Sequence, residues 1–185
     1  MVPTLFAPRA TARNGCAHAA AASLAVHHGL ATDGPGLLSR LYPALPPDTP
    51  GRLLGTTPWR TAAIARRAGL EAQWGWAVRS GTALALLQRE LAAGRPVIVL
   101  LNLRPLGHPW PVGHYAIVTG LTDEEVSLVN LPRSLAPRQP LAAFLRAWRI
   151  AALPLPTYRY AWVTVSSGAG FPLQAAAPCA AQSPA

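Results

Sequence analysis

The sequence contains no lysine, so all sixteen of its basic residues are arginine. Set against seven acidic residues, they give a net charge of +9. The arginines are scattered, because Arg66 and Arg67 are the only adjacent pair and no stretch interleaves arginine with aromatic residues as a nucleic-acid groove does. We therefore expect no nucleic-acid partner. The arginine, together with abundant alanine and proline, is typical of the composition of a GC-rich genome.

Long apolar runs are also missing. The longest, Pro96 to Leu101, is far shorter than the roughly 20 residues that span a bilayer. The N-terminal residues lack the basic start and long apolar core of a secretory signal. We therefore expect no transmembrane segment, and a protein that is either cytoplasmic or exported without a visible signal peptide. A hydrophobic content of 51% over 185 residues predicts one folded domain.

Only two cysteines are present, Cys16 and Cys179, which excludes a disulfide framework. The chain has no Cys-x-x-Cys pair. Cys16 and His18 could suggest a metal site, but on a helix their side chains point about 200° apart. A zinc site there would lack both the geometry and the number of ligands that zinc requires. We therefore expect no metal.

Helical patterns dominate the first half of the chain and strand patterns the second. An alanine-rich helix is predicted from Gly15 to Gly29. Further helices are predicted near residues 37–42, 57–69, 82–93 and 140–151. Strands are predicted at residues 70–78, 96–103, 114–122, 126–131 and 159–166. Segregated helices and antiparallel strands indicate an α+β domain over residues 1–166, followed by a disordered tail at 167–185 that is rich in Ser, Gly, Ala and Pro.

Three residues, in the chain order Cys, His, Asn, carry the chemical hypothesis. Cys16 falls in the first turn of the alanine-rich helix, where the helix dipole favours a thiolate. His114 opens an apolar strand directly after a loop rich in Gly and Pro, and it can accept the thiol proton as a general base. Asn130 lies on the returning strand of a predicted hairpin, where it can orient the imidazole. Each residue also has an ordinary explanation, namely a buried core thiol, a polar strand end and a hairpin amide.

Several ordered segments resemble the papain-like peptidases related to the bacteriocin-processing, double-glycine leader peptidases and their stand-alone bacterial relatives. The matching segments are Asn14-Gly-Cys16, Leu86 to Val99, Gly113 to Gly120, Val129 to Pro132 and Phe144 to Trp148. The resemblance implies a papain-like cysteine peptidase fold, in which an N-terminal helical half with the nucleophile helix packs on a C-terminal antiparallel sheet. It also implies a bacterial cysteine peptidase that uses Cys16, His114 and Asn130, takes a peptide or protein substrate and needs no cofactor.

The chain departs from the family pattern at two places. A glutamine about six residues before the cysteine usually helps to form the oxyanion hole, and residues 7–14 contain none. Asn14, Arg13 or main-chain N–H groups near Cys16 are the candidate replacements. The third catalytic residue is commonly an aspartate directly before a proline, whereas here Leu131 separates Asn130 from the proline.

Two alternatives therefore stay open beside peptide-bond hydrolysis. A deamidase or acyltransferase would use the same three residues with a different substrate or acyl acceptor. A peptide-binding module with weak catalysis is the other alternative, because losing one oxyanion donor typically costs about a hundredfold or more in rate.

The remaining histidine and aromatic side chains divide into two groups. His108 and Trp110, in the loop that precedes the His114 strand, are candidates for contact with the substrate. Surface or helix-end positions are expected for His18, His27 and His28. The hydrophobic core is expected to contain Trp74, Trp76, Trp148 and Trp162.

Overall fold

The structure is a computed structural model that describes residues 15–46, 56–149 and 159–167. In these residues the helices are α1 (Cys16–His27), α2 (Gly34–Ala44), α3 (Pro58–Arg67), α4 (Ser80–Ala92) and α5 (Leu141–Arg149). The strands are β1 (Leu70–Gly75), β2 (Val97–Asn102), β3 (Gly113–Leu121), β4 (Glu125–Val129), β5 (Arg138–Pro140) and β6 (Trp162–Ser167). A 3₁₀ turn (Arg104–Leu106) follows β2. Residues outside the description include the predicted tail from 168 onward, with Cys179.

The helix α1 is buried around its whole circumference. Its alanines and Leu24 have no exposed surface, and the helix packs against α2, α3 and β3. Alanine has the highest helix propensity, and its methyl side chain lets neighbouring elements approach closely. Gly29, with a φ of +69°, ends the helical path. The interior therefore holds the first residue of α1, Cys16, in a rigid setting.

The six strands form one antiparallel sheet in the order β1-β6-β2-β3-β4-β5. The last described strand, β6, thus lies between β1 and β2. The register pairs Leu101 with His114 and Ile117 with Val129. Because neighbouring strands run in opposite directions, the end of β2, the start of β3 and the end of β4 meet at one end of the sheet. This end carries His114.

The central strand β2 is buried on both faces. Ile98 and Leu100 belong to the core that the sheet forms with α1, α2 and α3. Val97, Val99 and Leu101 belong to a second core, on the opposite face, with α4 and α5. This two-sided burial explains the continuous aliphatic run, since successive residues of a strand face opposite sides. The predicted α+β fold, with a nucleophile helix packed on an antiparallel sheet, is confirmed.

Two burial predictions are wrong. Trp74 and Trp76, expected in the core, are 39% and 47% exposed, because Trp74 lies on the edge strand β1 and Trp76 directly follows the end of that strand. His18, expected at the surface, has no exposed area. Its Nε2 contacts the main-chain oxygen of Leu45 at 2.7 Å, and its ring packs against Tyr42. A neutral imidazole can be buried at modest cost when its N–H has such an acceptor.

The described elements are short. The longest helix among them, α4, has thirteen residues. Within residues 15–46, 56–149 and 159–167, no helix combines the length and the apolar character that crossing a membrane requires. The strand β5, which the sequence did not predict, has only three residues and is too short to show an alternating pattern.

Candidate active site

Cys16 is the first residue of α1, and Gly15 precedes the helix as its N-cap. The N–H of Ala19 donates to the Gly15 carbonyl at 2.9 Å. The N–H groups of the earlier residues in the first turn consequently have no acceptor within the helix. Together with the helix dipole, these N–H groups create a positive potential at the sulfur that stabilises a thiolate.

The imidazole of His114, the second residue of β3, forms a hydrogen bond with the Cys16 thiol. Burial by itself raises the pKa of this thiol. The hydrogen bond and the positive charge of His114 outweigh that effect, with help from the main-chain N–H groups of Tyr115 and Ala17. The pKa of Cys16 therefore lies below its ordinary value, and the thiolate is favoured.

The pKa of His114 shifts in the opposite direction. Burial lowers it, but the hydrogen bond and the negative charge of Cys16 raise it, and the main-chain carbonyl of Asn130 adds to this. The net result is a pKa above the ordinary value for histidine. The two opposite shifts both favour the charged forms, a thiolate and an imidazolium.

The second ring nitrogen of His114 is also occupied. Its Nε2 donates to the main-chain oxygen of Asn130, with an N–O distance of 2.5 Å. A carbonyl oxygen can only accept, so this contact keeps a proton on Nε2 and leaves Nδ1 to exchange a proton with Cys16. Asn130 was predicted to orient the imidazole. The structure brings the two residues together, but through the main-chain carbonyl of Asn130 instead of its side chain.

The side chain of Asn130 faces other partners. Its Nδ2 donates to the main-chain oxygen of Cys16 at 3.0 Å and to that of Tyr115 at 2.7 Å. Asn130 follows the end of β4 and has a φ of +63°, a left-handed conformation that asparagine tolerates better than most residues. This conformation turns the carbonyl toward His114 while the amide reaches α1 and β3.

Tyr115 takes part in the site through its main chain, which the sequence analysis did not anticipate. Its N–H lowers the pKa of Cys16, and its carbonyl accepts from Asn130. Its hydroxyl donates to the main-chain oxygen of Thr56 at 2.9 Å. Every strand residue carries an N–H and a carbonyl, so no side-chain pattern marks such a role. The only signal in the sequence was the position of Tyr115 directly after His114.

The loop residues predicted to contact substrate are held by their own loop. Nδ1 of His108 contacts the main-chain oxygen and N–H of Trp110 at 3.0 and 3.2 Å, and the Trp110 residue is 69% exposed. The loop joins β2 to β3 and so lies at the same end of the sheet as His114. The predicted oxyanion-hole residues, Asn14 and Arg13, lie outside the described residues.

Histidines other than His114 form no ligand cluster in the described part of the chain. His27 and His28 are adjacent at the end of α1, with ring centroids 5.1 Å apart. Across the same part of the chain, no three His, Cys, Asp or Glu side chains converge as they would around a metal ion. Cys16 and His114 are thus partners of each other in this structure.

Comparison with known proteins gives one informative result. No protein-family model matches the chain, and no curated protein matches it either. Among solved structures, the chain is similar to a Bacillus anthracis protein provisionally assigned as a C39-like peptidase. The TM-score is 0.63 at 14% identity, and the match covers 88% of this chain and 94% of the other. At this identity the likeness concerns the fold, and this chain has the α+β, papain-like fold of a C39-like peptidase.

Proposed function

We propose that this protein is a cysteine peptidase that hydrolyses peptide bonds through a thioester on Cys16. The observation that carries the proposal is the hydrogen-bonded pair of Cys16 and His114, in which each residue shifts the pKa of the other toward its charged form. A thiolate beside an imidazolium supplies both a nucleophile and a proton donor for the leaving group. The similarity in fold to a C39-like peptidase supports a peptide as the substrate.

In the first half-reaction the Cys16 thiolate attacks the carbonyl carbon of the scissile bond, and an electron pair moves onto the carbonyl oxygen. When this tetrahedral intermediate collapses, the carbon–nitrogen bond breaks. Nδ1 of His114 gives its proton to the departing amine. The products are a thioester on Cys16, a free amine and a neutral imidazole.

In the second half-reaction the neutral His114 accepts a proton from water at Nδ1, and the hydroxide oxygen attacks the thioester carbon. The carbon–sulfur bond breaks, the thiolate is restored, and the carboxylic acid product leaves. The Asn130 carbonyl keeps the proton on Nε2 through both steps, so that the same nitrogen always faces the sulfur. We assign one oxyanion donor to the main-chain N–H of Cys16, at the start of α1.

We further propose that the protein is a stand-alone bacterial relative of the double-glycine leader peptidases. The segment Gly113 to Gly120 supports this, because it matches the family pattern around the catalytic histidine. On this proposal His108 and Trp110 contact the substrate beside the cleaved bond, and Asn14 or Arg13 supplies the second oxyanion donor. A deamidase or acyltransferase would share the first half-reaction and would differ in the product released.

Iodoacetamide labelling tests the proposal before a substrate is known. We expect Cys16 to be alkylated at least about tenfold faster than Cys179 in the folded protein at pH 7, because alkylation requires a thiolate. Mass spectrometry of the two cysteine-containing peptides over time gives both rates in one sample, so Cys179 is an internal control. Equal and slow labelling of both cysteines would contradict an activated thiol. Incubation with a peptide library, followed by mass analysis, then separates hydrolysis from deamidation and acyl transfer.

The pH dependence tests the pairing of the two residues. As pH falls, the thiolate is lost only when pH passes through the lowered pKa of Cys16. As pH rises, the imidazolium is lost only when pH passes through the raised pKa of His114. Peptide hydrolysis needs both charged groups, so kcat/KM should give a bell-shaped profile.

The His114→Ala variant gives the sharpest form of this test. Burial then raises the pKa of Cys16 with only the main-chain N–H groups to oppose it. The midpoint of the labelling rate against pH should therefore move to higher pH than in the wild type. An unchanged midpoint would mean that His114 does not activate the thiol.

A further inference from the structure

We infer that the side-chain amide of Asn130 is a positioning group for the nucleophile. It joins the main chain of Cys16 to that of Tyr115 and so sets the separation of the thiol and the imidazole. The inference rests on the proposed function of Cys16 and His114. It separates two roles within one residue, because the main-chain carbonyl of Asn130 orients the imidazole while the side chain holds the helix.

The amide bridges two elements that carry the two reacting groups. Cys16 begins α1, whereas Tyr115 follows His114 on β3, and Nδ2 of Asn130 donates to both main-chain oxygens at 3.0 and 2.7 Å. The pairing of β3 with β4 ends at Ile117 and Val129. Beyond that point no described strand pairs with the β3 edge that faces β4, and the amide of Asn130 donates to the Tyr115 carbonyl.

The side-chain amide suits this bridge because it carries two donors on one short side chain. Both atoms that face the side chain are carbonyl oxygens, which accept hydrogen bonds, and Nδ2 carries two N–H donors. An ionised aspartate offers acceptors alone, so its oxygens would repel both carbonyls. The family that the sequence resembles commonly has aspartate as its third catalytic residue. The two carbonyl oxygens beside the side chain explain why asparagine stands at this position. Orienting an imidazole would not by itself require a side chain with two donors.

The left-handed conformation of Asn130 provides a way to separate its two roles by mutation. Glycine adopts a φ of +63° without strain, so Asn130→Gly keeps the main-chain carbonyl in place beside Nε2 of His114. The same change removes the amide completely. Asn130→Asp keeps the shape and size of the side chain but replaces its donors by acceptors.

The experiment compares Cys16 alkylation and peptide hydrolysis in Asn130→Asp, Asn130→Gly and the wild type, with melting temperatures to verify folding. We expect both variants to label at least about tenfold more slowly at pH 7 and to lose kcat with little change in KM, because the thiol is no longer held at the imidazole. In Asn130→Gly the alkaline limb of the pH profile should move to lower pH, because a displaced Cys16 no longer raises the pKa of His114, and the Asn130 carbonyl contributes less to that rise. A purely structural role of the amide would lower the melting temperature without moving that limb.

Asn102→Asp is a matched control. Asn102 ends β2 beside the start of β3, and its side-chain oxygen accepts from the N–H of Arg104 at 3.0 Å. Aspartate can accept the same hydrogen bond, so this variant adds the same charge near the site without losing a contact. We expect its labelling rate to stay within about twofold of the wild type.

Two outcomes would overturn the inference. In the first, Cys16 is alkylated at the wild-type rate in Asn130→Asp but slowly in Asn130→Gly. This would mean that the side chain acts as an acceptor for the imidazole. The other is wild-type labelling in Asn130→Gly, which would show that the amide has no role; that variant decides the question if Asn130→Asp fails to fold. Slow labelling of the wild type itself would instead overturn the proposed function, and the inference with it.

Discussion

His18 lies two residues after Cys16, and its surroundings favour the neutral imidazole. Burial is the main cause that lowers its pKa, the charge of Arg60 lowers it further, and the hydrogen bond to the Leu45 carbonyl acts in the opposite direction. Its Nδ1 is buried and has no hydrogen-bond partner among the described residues. His114 has a raised pKa because its partner becomes an anion. Two imidazoles on adjoining elements thus have pKa values shifted in opposite directions.

This difference makes His18 a source of acid sensitivity. In the unfolded chain a histidine takes up a proton below about pH 6.5, whereas the lowered pKa keeps His18 neutral in the folded protein. The unfolded state then binds more protons, so the free energy of unfolding falls as pH falls. We expect His18→Gln, which can still donate to Leu45, to show a smaller drop in melting temperature between pH 7.5 and 5.5 than the wild type. His108→Gln is the control, and equal drops in all three proteins would contradict the prediction.

The sequence allowed the residues of the candidate site to be predicted, but not all of the atoms through which they contact one another. Cys16 and His114 were chosen from a helix start and a strand start, and both starts are where the sequence placed them. The contact of the Asn130 carbonyl with His114 depends on a positive φ, which follows from how β4 leaves the sheet. No periodic pattern in the sequence predicts how the chain leaves the sheet after β4. The contribution of Tyr115 is invisible for a related reason, since it comes from main-chain groups.

At the scale of elements, α1 behaves differently from an ordinary amphipathic helix. The sequence predicted an alanine-rich helix, and in the structure alanines on all of its faces have no exposed surface. Small side chains give little contrast between faces, so the periodic signal that predicts a helix cannot show that it is enclosed. The packing of α2, α3 and β3 around α1 leaves no room for larger side chains.

Enlarging an alanine of α1 should therefore destabilise the fold. We expect Ala21→Leu to lower the free energy of unfolding by about 1–3 kcal/mol, because inserted methylenes force a close-packed core to shift. Urea denaturation followed by circular dichroism measures the change. Ala85→Leu is the control, since Ala85 is an exposed residue of α4 and leucine has nearly the same helix propensity. Equal stability of the two variants would mean that α1 can move aside.

The positions of the helices and strands were largely predictable from the sequence, but the burial of their residues was less predictable. The aliphatic run of β2 predicted a strand, and the structure has one that is buried along its whole length. A strand was also predicted where β1 lies, yet Trp74, expected in the core, is partly exposed because β1 lies at the sheet edge. Which strand becomes an edge depends on the order of strands. That order is set by β6, almost 90 residues further along the chain.

At the scale of the whole molecule, β1 is one of the two edges of the sheet that the described strands form. Trp59 and Trp74 pack there in a tilted arrangement, with ring centroids 5.9 Å apart, and both are partly exposed. The guanidinium of Arg66 covers part of the edge, because its Nε and Nη2 donate to the Ala72 carbonyl at 3.0 and 2.7 Å. A charged side chain on an edge carbonyl hinders the addition of a foreign strand.

Removing this cover should promote self-association. We expect Arg66→Ala to elute earlier than the wild type in size-exclusion chromatography, with an apparent mass that rises with concentration, because the Ala72 carbonyl becomes available beside exposed aromatic rings. Arg67→Ala is the matched control, since it removes the same charge from a neighbouring exposed position. If both variants stay at the wild-type mass at all concentrations, Arg66 does not protect the edge.

The place of β6 between β1 and β2 also determines when the fold can be completed during synthesis. Cys16 leaves the ribosome well before β6, and the core around α1 is incomplete until Ala161, Val163 and Val165 follow. Until then Leu70–Gly75 has no strand to pair with. A nascent chain therefore carries its cysteine before the core that holds α1 in place is complete.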